Sequence, residues 1–114
     1  GAPGFDDLLG RLGRSQALLC GIETHVCVHQ TASALLARGL EVHVALDAVA
    51  SQLPEDARIG ELRLLADGAR PASVELALFE LLGTSEAPAF KAVSALVKEL
   101  HAEEVALAPR TRSA

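Results

Sequence analysis

Tryptophan, tyrosine and methionine are absent from this chain, and phenylalanine occurs only three times in 114 residues. Any core must therefore be built mostly from Ala, Val and Leu. Cysteine is nearly as scarce. Cys20 and Cys27 alone cannot make a disulfide framework. Their surroundings read as intracellular, so the cytoplasm is the expected compartment. Positive charge is in deficit, with 10 Lys and Arg against 15 Asp and Glu, and the net −5 is spread without a block. No basic stripe of the kind that grips a phosphate backbone is present, so nucleic acid is not an expected partner. No apolar run approaches the roughly 20 residues of a membrane span, so a membrane is not expected either. No charged leader precedes a signal-like segment, and the opening Gly reads as the start of a trimmed or partial chain. What remains is apolar: 50% of residues are hydrophobic and 22% charged, too apolar a mixture for a disordered chain. The length suits a single domain over 1–114.

The periodicities order themselves as α-β-α-β-α-β-α-α. Phe5, Leu8, Leu9 and Leu12 predict a short amphipathic helix closed by Gly13. Ala17-Leu18-Leu19-Cys20-Gly21-Ile22 is apolar without alternation, the pattern of a strand buried on both faces. A tight turn at Gly21 follows, and Thr24 is the expected N-cap of a helix with Val28, Ala32, Leu35 and Leu36 inward. That helix stops at Gly39. Glu41 to Leu46 predicts a second strand, with a loop around Ser51. Pro54 opens a helix whose Ile59, Leu62, Leu65 and Ala66 are expected inside. Arg70 to Ala72 predicts a short strand that Pro71 confines to an edge. Ser73 caps a helix with Val74, Ala77, Leu78 and Leu81 on one face, closed by Gly83. The last helix begins near Pro88 and stripes Phe90, Val93, Val97 and Leu100. A frayed tail is expected over 108–114. Right-handed crossovers then give an α/β fold, a partial Rossmann-like three-layer arrangement with a parallel sheet and helices on both faces. Three strands are few for such a sheet, and an apolar first strand at its edge needs cover.

Chemistry concentrates in Cys20-Gly21-Ile22-Glu23-Thr24-His25-Val26-Cys27-Val28-His29-Gln30-Thr31, a strand leading into a helix. Cys27 falls in the helix's first turn, where the dipole and unpaired N–H groups favour an anion. The thiolate is the nucleophilic form of cysteine, and the same N–H groups suit an oxyanion. Open α/β sheets place ligands at this end of their strands. Against this stands the plainer reading of Cys27 as a small buried hydrophobe in an apolar helix. A third reading gathers His25, Cys27, His29 and His43 around a metal, although the spacing lacks a paired ligand pattern. His101, near the end of the last helix, is expected to complement its dipole.

The run from Gly21 to Val28, with Gln30-Thr31 after it, closely resembles the nucleophile motif of the isochorismatase-like cysteine hydrolases, a family that includes nicotinamidases. Leu35 to Val44 is similar to that family's helix-to-strand passage, and Asp47-Ala48-Val49-Ala50-Ser51 to the loop after it. Ser73-Val74-Glu75 with Leu78 to Gly83 resembles a late helix. Pro88-Ala89-Phe90-Lys91 with Leu96-Val97-Lys98 resembles the closing helix of the isochorismatase-domain-containing subgroup. The resemblance spans roughly Leu18 to Glu99 and corresponds to the C-terminal half of the family's domain.

It implies a cysteine hydrolase without an organic cofactor, acting on a small amide or related substrate, and no residue is assigned as a metal ligand. Cys27 would be the catalytic nucleophile, and the Ile22–Glu23 peptide the family's cis bond. The backbone N–H groups of Glu23 and Cys27 would face the oxyanion. The family's aspartate base and assisting lysine come from the half that is absent here. Asp6 and Asp7 precede the first visible strand and Lys91 and Lys98 belong to the last helix, so none of them inherits those roles. Gln52 stands where the subgroup commonly has arginine, and Ala72 where threonine is usual. Two functions are thus expected: part of a hydrolase completed by its missing half, or an inactive remnant serving as an interaction module. Both imply self-association or association with that half.

Overall fold

The computed structural model describes residues 3–107, so the expected frayed tail over 108–114 lies outside the described residues. The elements are α1 (Phe5–Leu12), β1 (Gln16–Ile22), a π-helical turn (Thr24–Val28), α2 (His29–Ala37), β2 (Glu41–Ala50), α3 (Pro54–Ala66), β3 (Arg70–Ala72), α4 (Val74–Leu82) and α5 (Phe90–Leu107). The three strands form one parallel sheet in the order β1-β2-β3, as an alternating βαβ sequence requires. The chain divides into two compact units, Gly1–Val74 and Glu75–Ala114.

In the first unit Val42 and Val44, two residues apart and hence on one face of β2, meet Val28, Ala32 and Leu35 from the helix side and Leu64 from α3. Leu9, Ala17, Leu19 and Leu36 pack around them. The α2 ending is closed by the Leu40 N–H, which donates back to the Leu35 carbonyl at 3.2 Å.

Three expectations are corrected here. Strand β1 is not buried on both faces: Ala17 and Leu19 join the core, whereas Leu18 is 48% and Ile22 72% exposed, with exposed Cys20 between them. Its apolar run belongs to an edge strand that pairs only with β2 among the described residues. Gly21 is no turn but part of the strand, at a φ of 122° that side chains disfavour. It sits where the register jumps from Leu19↔Val44 to Gly21↔Val49, and β2 correspondingly runs on through Ala50 instead of ending near Leu46. Finally, α3 presents Gly60 and Leu64 inward, while Ile59, Leu62, Leu65 and Ala66 are exposed. A glycine drawn to the inner face rotates the helix away from its most apolar stripe.

The N-terminal ends of all three strands are clipped by one carboxylate. Glu41 accepts hydrogen bonds from Gln16 of β1, from His43 Nε2 at 3.1 Å and from Arg70 of β3 at 2.8 Å. The His43 bond, then those from Arg70 and Gln16, lower its pKa from 4.5 to about 2.

In the second unit, α4 and α5 bring Phe79 and Phe90 to a ring separation of 5.5 Å and bury Ala77 and Val97. On α4, Val74 and Leu81 are exposed rather than inward. His101 pairs with Glu75 at 2.8 Å in mid-α5 and does not cap the helix end, because α5 continues to Leu107. Within the first unit, the N–H of its last residue, Val74, donates to the Asp47 carboxylate at 2.9 Å.

Candidate functional site at the end of the first strand

Strand β1 ends at Ile22, and the Ile22–Glu23 peptide that follows is cis. Glu23 is still extended, with φ −91° and ψ 147°, and the helical path begins at Thr24. The N–H groups of Val26 and Val28 both donate to the Glu23 carbonyl at 3.1 Å. The second of these spans five residues and widens the first turn into a π turn, which then continues directly into α2.

This shifts the expected cap by one position. Thr24 lies inside the turn, fully buried, and its Oγ1 has no hydrogen-bond partner. No side chain of the turn caps it. The cap comes from the end of β2 instead: Ser51 Oγ accepts the Thr24 N–H at 3.1 Å. Ser51 Oγ also lies 2.8 Å from His25 Nδ1, and His25 Nε2 lies 3.7 Å from the Asp56 carboxylate in the first turn of α3. A reciprocal tie runs the other way, from the Gln52 N–H to the Glu23 carboxylate at 2.9 Å.

Helix α3 approaches the turn without a side chain between them. A Cβ on Gly60 would stand 2.8 Å from the His25 backbone N and 2.9 Å from its Cα. The turn is therefore held by its own strand, by the β2 end and by α3.

Cys27 is exposed within this turn, and Cys20 is exposed on β1. The plainer reading of Cys27 as a buried hydrophobe is thereby set aside. The three histidines of the metal reading are not gathered. His25 faces Ser51 and Asp56, His29 pairs with Asp67 at 2.8 Å, and His43 pairs with Glu41 at the opposite end of the strands. Among the described residues no three His, Cys, Asp or Glu side chains group as a metal site would need. Asp6 is engaged by Arg38 at 2.7 Å, and Lys91 and Lys98 lie on α5 in the second unit.

Asp56 and Gly60 were not singled out by sequence reasoning, and Ser51 was placed in a loop without a role. The usable signal was topological: in a parallel sheet the C-terminal ends of adjacent strands lie side by side, so the residue ending β2 neighbours the turn after β1.

The family pattern of the Isochorismatase domain matches residues 1–75. The secreted isochorismatase effector Isc1 of Phytophthora sojae is 46% identical over 86 residues, covering 75% of this chain and 41% of that protein. Among solved structures, the MAR1 ribonuclease of Caenorhabditis elegans superposes with a TM-score of 0.81 at 36% identity over 98% of this chain and 57% of its own. A nicotinamidase of Bacillus subtilis superposes with a TM-score of 0.59 at 25% identity, covering 61% of this chain and 39% of the enzyme. The chain thus spans less than half the length of the curated relative. On the family pattern over residues 1–75 and its parallel sheet, this chain belongs to the isochorismatase family.

Proposed function

We propose that this chain is the nucleophile-bearing part of a cysteine hydrolase that cleaves a small amide or related substrate. The observation that carries the reading is an exposed Cys27 in the first helical turn after a parallel strand, the end of the sheet where α/β folds bind ligands. In the proposed reaction the Cys27 thiolate adds to the substrate carbonyl, and the backbone N–H groups of Glu23 and Cys27 hold the oxyanion. The amine then leaves with a proton, and water hydrolyses the resulting thioester to the acid and free thiol. No organic cofactor or metal is required. The base is supplied by a further segment of the protein or by a partner, since Asp6 is tied to Arg38. Loss of such a base typically lowers rates about 100-fold or more.

Similarity to a nicotinamidase supports an amide substrate. The relative described as a ribonuclease points toward RNA for that protein, but a net charge of −5 without a basic stripe favours a small molecule here. Two exposed free thiols favour a reducing compartment, and we place the protein in the cytoplasm. No helix among the described residues is long and apolar enough to cross a membrane.

Competitive alkylation tests the reading, because both cysteines are exposed. Cys27 should react faster than Cys20 near neutral pH, and equal sluggishness of the two would refute it. A second reading, an inactive interaction module, draws on the open edge of β1 with Leu18 and Ile22 exposed. It expects sedimentation to show a complex, with itself or with the rest of the domain, that Leu18→Lys weakens. Cys27-dependent hydrolysis of small amides by the purified chain would overturn it.

A further inference from the structure

We propose that Ser51 and His25 are positioning residues for the proposed nucleophile: hydrogen-bonded to each other, with the Asp56 carboxylate facing the imidazole, they cap and orient the turn carrying Cys27. This inference rests on the reading of Cys27 as the nucleophile and deepens it. The π turn has no side-chain cap of its own, and its first N–H, that of Thr24, is satisfied only by a hydroxyl from 27 residues later in the chain. A serine hydroxyl has one proton and two lone pairs. The Thr24 N–H takes one lone pair. The Asp56 carboxylate, 3.7 Å from His25 Nε2, favours the imidazole tautomer with its proton on that nitrogen, and in that tautomer Nδ1 accepts the Ser51 proton across 2.8 Å. Each member fixes the next: the carboxylate selects the tautomer, the imidazole orients the hydroxyl, and the hydroxyl holds the turn.

Two further contacts make the relay hard to displace. The Gln52 N–H binds the Glu23 carboxylate, so both sides of the turn's entry are tied to the same short segment. Gly60 lies flush against the His25 backbone, which prevents the turn from sinking toward α3. Asp56, His25 and Ser51 stand in the order of a serine-nucleophile triad. Ser51, however, is half-buried and spends a lone pair on the Thr24 N–H, whereas Cys27 is exposed. The relay therefore serves the sulfur.

The test is the ratio of Cys27 to Cys20 alkylation rates by iodoacetamide in the full chain, read by mass spectrometry with melting curves alongside. Ser51→Ala should lower the ratio roughly tenfold, the order expected for loss of a cap. Ser51→Thr keeps the hydroxyl and should restore the ratio to within about twofold of wild type. His25→Ala should behave as Ser51→Ala, and His25→Asn, which keeps an acceptor near the Nδ1 position, should rescue it in part. Asp67→Asn loosens a neighbouring helix contact without touching the relay, so its ratio should stay at the wild-type value; a fall equal to that of Ser51→Ala would show a merely structural effect and overturn the proposal. A wild-type ratio of one would remove the nucleophile reading itself. A high wild-type ratio left unchanged by Ser51→Ala would remove only the relay. Labelling of Ser51 by a fluorophosphonate would also overturn it, by making Ser51 a nucleophile.

Discussion

Gly60→Ala separates two opposing effects at a single atom. In an open helix the change stabilises by up to about 1 kcal/mol, because alanine has the higher helix propensity. At Gly60 the new methyl would meet the His25 backbone N at 2.8 Å and Cα at 2.9 Å, and main-chain atoms cannot swing aside as a side-chain end can. Restoring an ordinary carbon contact of about 3.5 Å requires α3 to retreat by roughly 0.7 Å. That retreat unseats Leu64, which is 1% exposed one turn further along. Overpacking of this kind costs about 1–3 kcal/mol, so the net expectation after the propensity gain is a loss of up to about 2 kcal/mol. The melting temperature should fall by roughly 4–8 °C for each kcal/mol. Gly10 in α1 provides the control, since a Cβ there meets nothing within 4 Å. Gly10→Ala should raise the melting temperature slightly while Gly60→Ala lowers it, both followed by circular dichroism. If the two variants shift it upward alike, the close approach of α3 to the π turn is wrong.

Glu41 gives the protein an acid-sensitive clip. Its folded pKa of about 2 lies below its ordinary 4.5, so its contribution is complete above about pH 4.5 and is lost as pH falls toward 2. Melting curves should decline through that window, and Glu41→Gln should flatten the decline; an unchanged slope would refute the clip. Leu64→Ala should cost about 2–5 kcal/mol in urea titrations, whereas Leu62→Ala, at 56% exposure, should change stability by less than about 0.5 kcal/mol. Reversal of that order would mean α3 faces the other way. The His29–Asp67 pair, with side chains 25% and 45% exposed, should show a coupling below about 1 kcal/mol in a double-mutant cycle.

Periodicity revealed the elements and the parallel sheet because apolar runs, prolines and helix-ending glycines act locally. The inner face of α2 was legible for the same reason, since Val28, Ala32 and Leu35 are both its most apolar stripe and its buried one. In α3 that rule inverted. Close packing of two backbones demanded Gly60, and hydropathy assigns little weight to a residue with no side chain. Thr24 misled in a related way: its type suits a cap, but the π turn begins one residue earlier than expected and buries it. Ser51 was visible as part of a motif without a task, because its partners lie 26 and 27 residues away in the sequence. The resemblance of the Cys27 segment supplied a role for the sulfur that spacing alone left open.

The jump in pairing along β2 amounts to a spare length of chain. Between Val44 and Val49 the strand spends five residues where β1 spends two, and Asp47 uses the slack to reach the Val74 N–H. Removing Ala48 would leave Glu41 to Val44 and the Ala45 pairing to β3 as before but turn Val49, Ala50 and Ser51 over by half a pleat. The first half of the pairing would survive such a deletion while Ser51 lost the Thr24 N–H, so a change of one residue in strand length would leave the π turn without its cap.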